Sequence, residues 1–180
     1  MPSNINYVRR MSNNMDIANI TAADTTPREP VGTVVVLPSS AGSGPLILRY
    51  IYNGEGSSSI AAKDVVVAKT SATTLTGTSY GAYDLGIGVL GGSANLAMTT
   101  LGIARYTIAA GSYGYVTCVG RVTATAAGAI SAGVAIVTAA SADVDTVGSN
   151  DGRFVIGHCT VAAGGAGDVS IFVNLPNVSG

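Results

Sequence analysis

One serine sits in a pattern with catalytic meaning. Gly77-Thr-Ser79-Tyr-Gly81 spells G-x-S-x-G, and Asp143, Asp145 or Asp151 and then His158 follow in the order of an α/β-hydrolase triad. That chemistry needs the serine on a strained strand-to-helix elbow, where the helix N-terminus helps stabilise an oxyanion. The residues after Gly81, Ala-Tyr-Asp-Leu-Gly-Ile-Gly-Val-Leu, are broken by glycine and do not continue as that helix. Acyl transfer at Ser79 is therefore not supported. Gly86-Ile-Gly88-Val-Leu-Gly91 spells the dinucleotide fingerprint G-x-G-x-x-G, which requires a preceding strand, a following helix and an acid about 20 residues on. The next acid after Gly91 is Asp143. The segment reads as a Gly-rich loop with no phosphate to hold.

His158 is the lone histidine and neighbours Cys159. On a strand, adjacent side chains point to opposite faces, so the two cannot form a dyad or chelate one metal. His158 is expected to be a partly buried strand histidine. Cys118 and Cys159 read as two buried thiols behaving as small hydrophobes, joined only if their strands are neighbours. Asp143-Val-Asp145 reads as a solvated loop. No cofactor and no metal is expected, and no enzyme.

The elements that would position any site follow from composition. Of 180 residues, 47% are apolar and 11% charged, against roughly 25% charged in an average soluble domain. Glu occurs only at 29 and 55, Lys only at 63 and 69, and Gln is absent. Those residue types normally clothe exposed helix faces. With 24 Gly and abundant Val, Ile and Thr, the sequence predicts an all-β fold, a small antiparallel sandwich or barrel-like domain. A formal net charge of −1 gives no electrostatic footprint for nucleic acid. No apolar run reaches the length of a membrane helix or a signal-peptide core, so synthesis and folding in a cytoplasm are expected.

Composition changes near Pro30, which divides an extended N-terminal arm, residues 1–30, from a β-rich domain, residues 31–180. In the arm, Ile5, Val8, Met11 or Ser12, and Met15 fall at near-helical spacing beside Arg9 and Arg10, which suggests a short helical turn after Ser3 or Asn4. Thr25-Thr-Pro-Arg28-Glu-Pro30 reads as an extended linker. Beyond it, short apolar runs alternate with Gly/Ser/Asn punctuation: Val31–Leu37, Leu46–Tyr52, Asp64–Lys69, Leu101–Ile108, Gly114–Thr125, Val134–Thr138, Arg153–Val161 and Val169–Leu175. Residues 70–100 read as a long irregular excursion, with one turn of helix near Ser93–Met98. Thr107-Ile-Ala-Ala-Gly-Ser-Tyr-Gly-Tyr-Val-Thr117 echoes Thr160-Val-Ala-Ala-Gly-Gly-Ala-Gly-Asp-Val-Ser170 without gaps, which predicts two equivalent hairpins. Eight Tyr stand against two Phe and no Trp. Tyr80, Tyr83, Tyr113 and Tyr115 lie in or beside Gly-rich turns, where an apolar ring with a polar tip suits an interface.

The C-terminal eighty residues or so resemble the head decoration (cement) proteins of tailed bacteriophages. The resemblance is carried by Leu101-Gly-Ile-Ala-Arg-Tyr-Thr-Ile-Ala-Ala-Gly-Ser-Tyr-Gly-Tyr-Val-Thr-Cys-Val-Gly-Arg-Val, by Ile130-Ser-Ala-Gly-Val-Ala-Ile-Val and by the stretch from Val155 to Leu175. It implies a β-rich domain on the outside of an expanded head that clamps neighbouring major capsid proteins and associates with its own copies, as a trimer. The arm residues expected to bind the capsid are Ile5, Tyr7, Val8, Arg9, Arg10, Met11, Met15 and Arg28. The contacts expected between copies or with the capsid are Tyr80, Tyr83, Tyr113 and Tyr115. The alternatives are a tail-fibre or baseplate structural module, and a carbohydrate-binding β-domain, which would want aromatic platforms although Trp is absent.

Overall fold

Valine, isoleucine and threonine recur here with alternating burial, and that pattern becomes strands. The computed structural model describes residues 8–10, 22–37, 44–70, 83–91, 100–148 and 155–175. Its strands are β1 (Val8–Arg10), β2 (Val34–Leu37), β3 (Leu46–Asn53), β4 (Val65–Thr70), β5 (Tyr83–Leu90), β6 (Thr100–Ala104), β7 (Tyr113–Ala126), β8 (Ala135–Thr138), β9 (Val144–Thr146), β10 (Gly157–Val161) and β11 (Gly167–Asn174). They form one mixed, mostly antiparallel sheet, with parallel pairs only at β1–β2, β3–β5 and β7–β9. Among the described residues there is no α-helix, and a single 3-10 turn covers Ala140–Ala142. The all-β expectation is met.

Each of the eight apolar runs overlaps one of these strands. Three further strands correct the sequence reading. Val8–Arg10 pairs with Val34–Val36 as a strand, so the near-helical spacing does not make a helix there. Tyr83–Leu90 is a strand inside the supposed excursion, and the helical turn near Ser93–Met98 lies outside the described residues. Gly88 is no loop glycine: a Cβ there would lie 2.6 Å from both Ile51 Cδ1 and Val66 Cγ1. Close packing of β5 requires that glycine, and this is the physical origin of the chance fingerprint. Val144–Thr146, read as a loop, pairs with β8.

The pairings close into two circuits that share β7. One runs β3–β5–β4–β6–β7 and back to β3; the other runs β7–β9–β8–β10–β11 and back to β7. They are the same unit twice. β3 corresponds to the C-terminal half of β7, β4 to β8, β5 to β9, β6 to β10, and the N-terminal half of β7 to β11. The correspondence holds residue by residue. Tyr50↔Tyr115 matches Thr123↔Ser170, and the parallel pair Asn53↔Gly88 matches Ala126↔Val144. Val66↔Leu90 matches Ile136↔Thr146, Val66↔Gly102 matches Ile136↔Gly157, and Ala104↔Val116 matches Cys159↔Ile171. Even isolated bonds repeat: Lys63 N–H donates to Ala104 O at 2.7 Å, as Gly133 N–H does to Cys159 O at 2.8 Å. The bridge Ile60↔Ile108 recurs as Ile130↔Ala163. The two sequence echoes do lie on corresponding connections, β6 to β7 and β10 to β11. The bridges set Ile108 opposite Ala163 in that correspondence, two residues beyond the sequence alignment. A slip of two leaves each side chain on its own face of the strand.

One apolar core runs through both units, from Ile51, Val66 and Ile103 to Ile136, Cys159 and Ile171. Gly102 and Gly157 hold equivalent places in it, and each lets its strand approach the next closely. A Cβ would lie 2.6 Å from Thr117 O at Gly102, which has φ +155°, and 2.1 Å from Phe172 O at Gly157. Gly102→Ala and Gly157→Ala are each expected to lower unfolding stability by about 1–3 kcal/mol. Gly128→Ala, where a Cβ meets open space, is expected to stay within about 0.5 kcal/mol of the parent in the same denaturant titrations.

Candidate interaction surfaces

Alternation along β3 and the first half of β7 sends Ile51, Val116 and Cys118 into the common core and Leu48, Tyr50 and Tyr115 to the opposite face. That second face is aromatic. Tyr50 stacks on Tyr113 with centroids 6.0 Å apart and meets Tyr115 at 4.8 Å, and Tyr52 meets Tyr113 at 5.1 Å. Such contacts contribute beyond simple area burial. Residues 22–37 cover it. Asp24 and Tyr113 exchange backbone bonds of 2.8 Å, Gly32 N–H donates to Tyr50 O, and Tyr50 N–H donates to Thr33 O. The Tyr50 hydroxyl accepts the Arg28 N–H at 3.2 Å and donates to the Asp24 carboxylate at 3.4 Å, while Arg28 and Asp24 form an ion pair. Burial raises the Tyr50 hydroxyl above its ordinary value. It pushes Tyr106, whose oxygen accepts the Tyr115 N–H, up to about 12. These hydroxyls stay neutral at any physiological pH, so they act by contact and hydrogen bonding.

Among the described residues no such segment lies over the matching face of the second unit, and its side chains differ accordingly. Where the first unit has Leu48, Tyr50, Tyr52, Tyr113 and Tyr115, the second has Arg121, Thr123, Thr125, Asp168 and Ser170. One face lies under a segment of its own chain and is apolar; the other meets solvent and is polar.

Of the arm residues, Val8, Arg9 and Arg10 form β1 on the edge of β2. Ile5, Tyr7, Met11, Met15, Tyr80, Ser79 and Asp151 lie outside the described residues. Arg28 is half-exposed beside Asp24. Tyr83 opens β5 opposite Thr70. Tyr113 is half-buried between Tyr50 and Tyr52, and Tyr115 is 4% exposed. His158 does lie on a strand, but it is exposed rather than partly buried, with its ring stacked on Phe172 at 5.5 Å. Cys159 faces the core, as the alternation required. Both cysteines are free and buried, and burial pushes the Cys118 thiol up to about 12, which keeps it inert. Among the described residues, no three His, Cys, Asp or Glu side chains gather to hold a metal, and no helix is long and apolar enough to cross a membrane.

The seam between the units was not legible in the sequence. Lys63 takes φ +78° in a turn where its counterpart Gly133 takes +80°. A left-handed lysine costs about 1 kcal/mol. Its side chain reaches across the seam to Asp168 at 2.5 Å, and its carbonyl accepts the Thr125 N–H. On the other side, Ser141 and Ala142 are both left-handed, and the Ala142 N–H donates to Gly91 O at 2.6 Å. Two acids face this seam. Burial raises Asp64, with the Asp143 charge adding to it, and burial raises Asp143. The pattern Tyr50-x-Tyr52 with Tyr113-x-Tyr115 was the one sequence signal for the aromatic face, since a period of two places both pairs on one side.

Two measurements probe these surfaces. Tyr50→Phe removes one hydroxyl and is expected to cost about 1 kcal/mol, whereas Tyr50→Ala opens the aromatic cluster and is expected to cost about 3–5 kcal/mol. For Asp64, a folded-state pKa above the unfolded value of about 3.9 means stability present below that pH and lost as pH rises through the folded value. Asp64→Asn keeps the acceptor for the Ala61 N–H without the charge. The variant is expected to be at least as stable as the parent at neutral pH, with any advantage vanishing below about pH 4 in thermal melts.

No protein-family model matches the chain, and no curated protein matches it. Among solved structures, the head fiber gp8.5 N base of bacteriophage phi29 is similar to it, with a TM-score of 0.45 and 11% identity, over 72% of this chain and 94% of that one.

Proposed function

We propose that this protein is a structural component of a tailed-phage virion, a decoration protein that binds the outer surface of the expanded head and bridges neighbouring major capsid proteins. The observation that carries this reading is the edge made by β1 and β2. Both five-stranded circuits close on β7, whereas β2 extends outward from β3 and takes Val8–Arg10 as a parallel neighbour. Among the described residues no strand pairs beyond β1, and a terminal strand of a sheet recruits strands, its own or a partner's. In this reading Ile5, Tyr7, Val8, Met11 and Met15 supply apolar contacts to the capsid, and Arg9, Arg10 and Arg28 supply charge-assisted bonds. Tyr80, Tyr83 and Tyr113, with Tyr115 behind it, belong to contacts with the capsid or between copies in a trimer. Repeated engagement on a symmetric lattice offsets the conformational entropy that side chains lose at each contact. The barrel-like shape belongs to the same proposal, since each circuit of pairings returns to its starting strand. Synthesis takes place in the host cytoplasm and the working location is the outer capsid surface. No catalysis, cofactor, nucleic acid or membrane enters the reading.

A second reading, a fibre or baseplate module of the virion, is favoured by the tandem unit, because elongated virion parts are built by stacking repeats. Binding to purified expanded heads that lack the protein separates the two. The full chain is expected to saturate heads, and deletion of residues 1–21, which spares Asp24 and Arg28, is expected to keep the fold and weaken binding at least about tenfold. Deletion of residues 1–28 also uncovers Tyr50 and Tyr113. If the chain truncated by 21 residues decorates heads as tightly as the parent, the arm is not the binding element. If the full chain leaves heads bare and labels tails or fibres, the second reading holds.

A further inference from the structure

The duplication shows which backbone contact the second unit lacks. In β3, the backbone groups of Leu48 and Tyr50 point away from β7, and residues 32–35 take them. Val35 lies opposite Leu48, Gly32 N–H donates to Tyr50 O, and Tyr50 N–H donates to Thr33 O. The equivalents of Leu48 and Tyr50 in β7 are Arg121 and Thr123. The bond from Leu175 N–H to Cys118 O sets the phase of the β7–β11 ladder. Gly120, Val122 and Ala124 therefore bond β11, whereas Arg121 and Thr123 direct their N–H and C=O groups to the other edge. Among the described residues, none bonds either of them there.

The open stretch has defined ends. On one side, the β3 ladder stops at Ile47↔Val119. Continuing that register would set Pro45 against Arg121, and Pro45 has no N–H to offer. On the other side, Lys63 O accepts the Thr125 N–H at 3.3 Å, and Ala126 meets β9. Arg121 and Thr123 are both exposed. The gap thus lies at the register position where the first unit takes a strand.

Charge decides what fits it. No acid among the described residues pairs with Arg121. Its cross-strand neighbour on β11 is Phe172, on which His158 stacks. A strand laid here is favoured when it sets a carboxylate beside Arg121. The terminal strand β1 of a second copy, Val8-Arg-Arg10, would bring like charges to Arg121. Self-pairing of the two edges is disfavoured, and an acid-bearing strand of another protein is favoured.

We propose that the Arg121–Thr123 edge accepts an extended, acid-bearing segment of the capsid protein as an added strand. Main-chain bonds supply affinity, and the Arg121 guanidinium selects for the carboxylate. The identity of the partner rests on the virion reading above; the open edge does not.

Hydrogen exchange on the free full chain tests the edge. The Arg121 and Thr123 amides are expected to exchange at least about tenfold faster than those of Val122 and Ala124. Binding to purified expanded heads that lack the protein tests the partner. Thr123→Pro removes an N–H that no described residue uses and puts a ring where the added strand would lie, so the fold is expected to be retained. Arg121→Glu reverses the charge at an exposed site. Each is expected to bind heads at least about tenfold more weakly than the parent, with melting midpoints close to the parent's. Should Thr123→Pro unfold, Arg121→Glu carries the test. Arg121 and Thr123 amides that exchange as slowly as that of Val122 overturn the proposal. So do folded variants that decorate heads as tightly as the parent, a result that leaves the virion reading standing. Heads left bare by the parent overturn that reading and, with it, the capsid as the partner. Self-association of the parent that Thr123→Pro abolishes in sedimentation velocity assigns the edge to a second copy and also overturns the proposal.

Discussion

Hydrogen bonding along both edges of β7 is the constraint on which the rest of the structure depends. Its N-terminal half lies between β3 and β6, and its C-terminal half pairs with β11 and, at its end, with β9. One strand therefore serves as the closing strand of one unit and the opening strand of the next. A slip of one residue in β7 would turn every side chain to the wrong face in both units at once. Its glycines mark where neighbours crowd it. At Gly120, a Cβ would lie 3.0 Å from Leu46 Cδ1 and 3.2 Å from Pro45 O. At Gly114 it would lie 2.7 Å from Ile108 Cδ1.

A shared backbone plan does not make the two units chemically equal. The first carries a longer connection after its opening strand, and Asn53 organises it. Its Nδ2 donates to Ser58 O at 3.1 Å and to Ile108 O at 2.8 Å, while its Oδ1 accepts the Glu55 N–H at 2.9 Å. Fully buried, Asn53 is tolerable because both ends of its amide are satisfied. The equivalent residue in the second unit is Ala126, where the connection is shorter and no amide is needed. The same logic separates Tyr50 from Thr123, since only the first has residues 22–37 lying over it.

Strain marks the seam. Lys63 occupies a conformation that glycine fills in the equivalent turn, and its side chain spans from one unit to Asp168 of the other. An exposed ion pair contributes at most about 1 kcal/mol, which is comparable to the cost of the left-handed backbone. The pair sets the placement of the two units more than it adds to stability. With Ser141 and Ala142 held left-handed on the opposite side, both turns that join the units adopt conformations that local preference alone would not choose.

Local pattern determined much of this protein from sequence alone. A period of two in apolar residues marked eight strands, set His158 and Cys159 on opposite faces, and put both thiols inside. Scarcity of Glu, Lys and Gln ruled out a mainly helical chain. These are local properties, since strand preference and alternation need no knowledge of partners. Only the tertiary structure decided β5, whose glycines look like a loop until Ile51 and Val66 are seen against Gly88. It alone decided the short strands β1 and β9, and the pairing that makes one unit twice. The duplication was nearly invisible because register is fixed by hydrogen bonds that any residue can make. Side chains follow what covers each face, so equivalent positions carry tyrosine in one unit and threonine in the other.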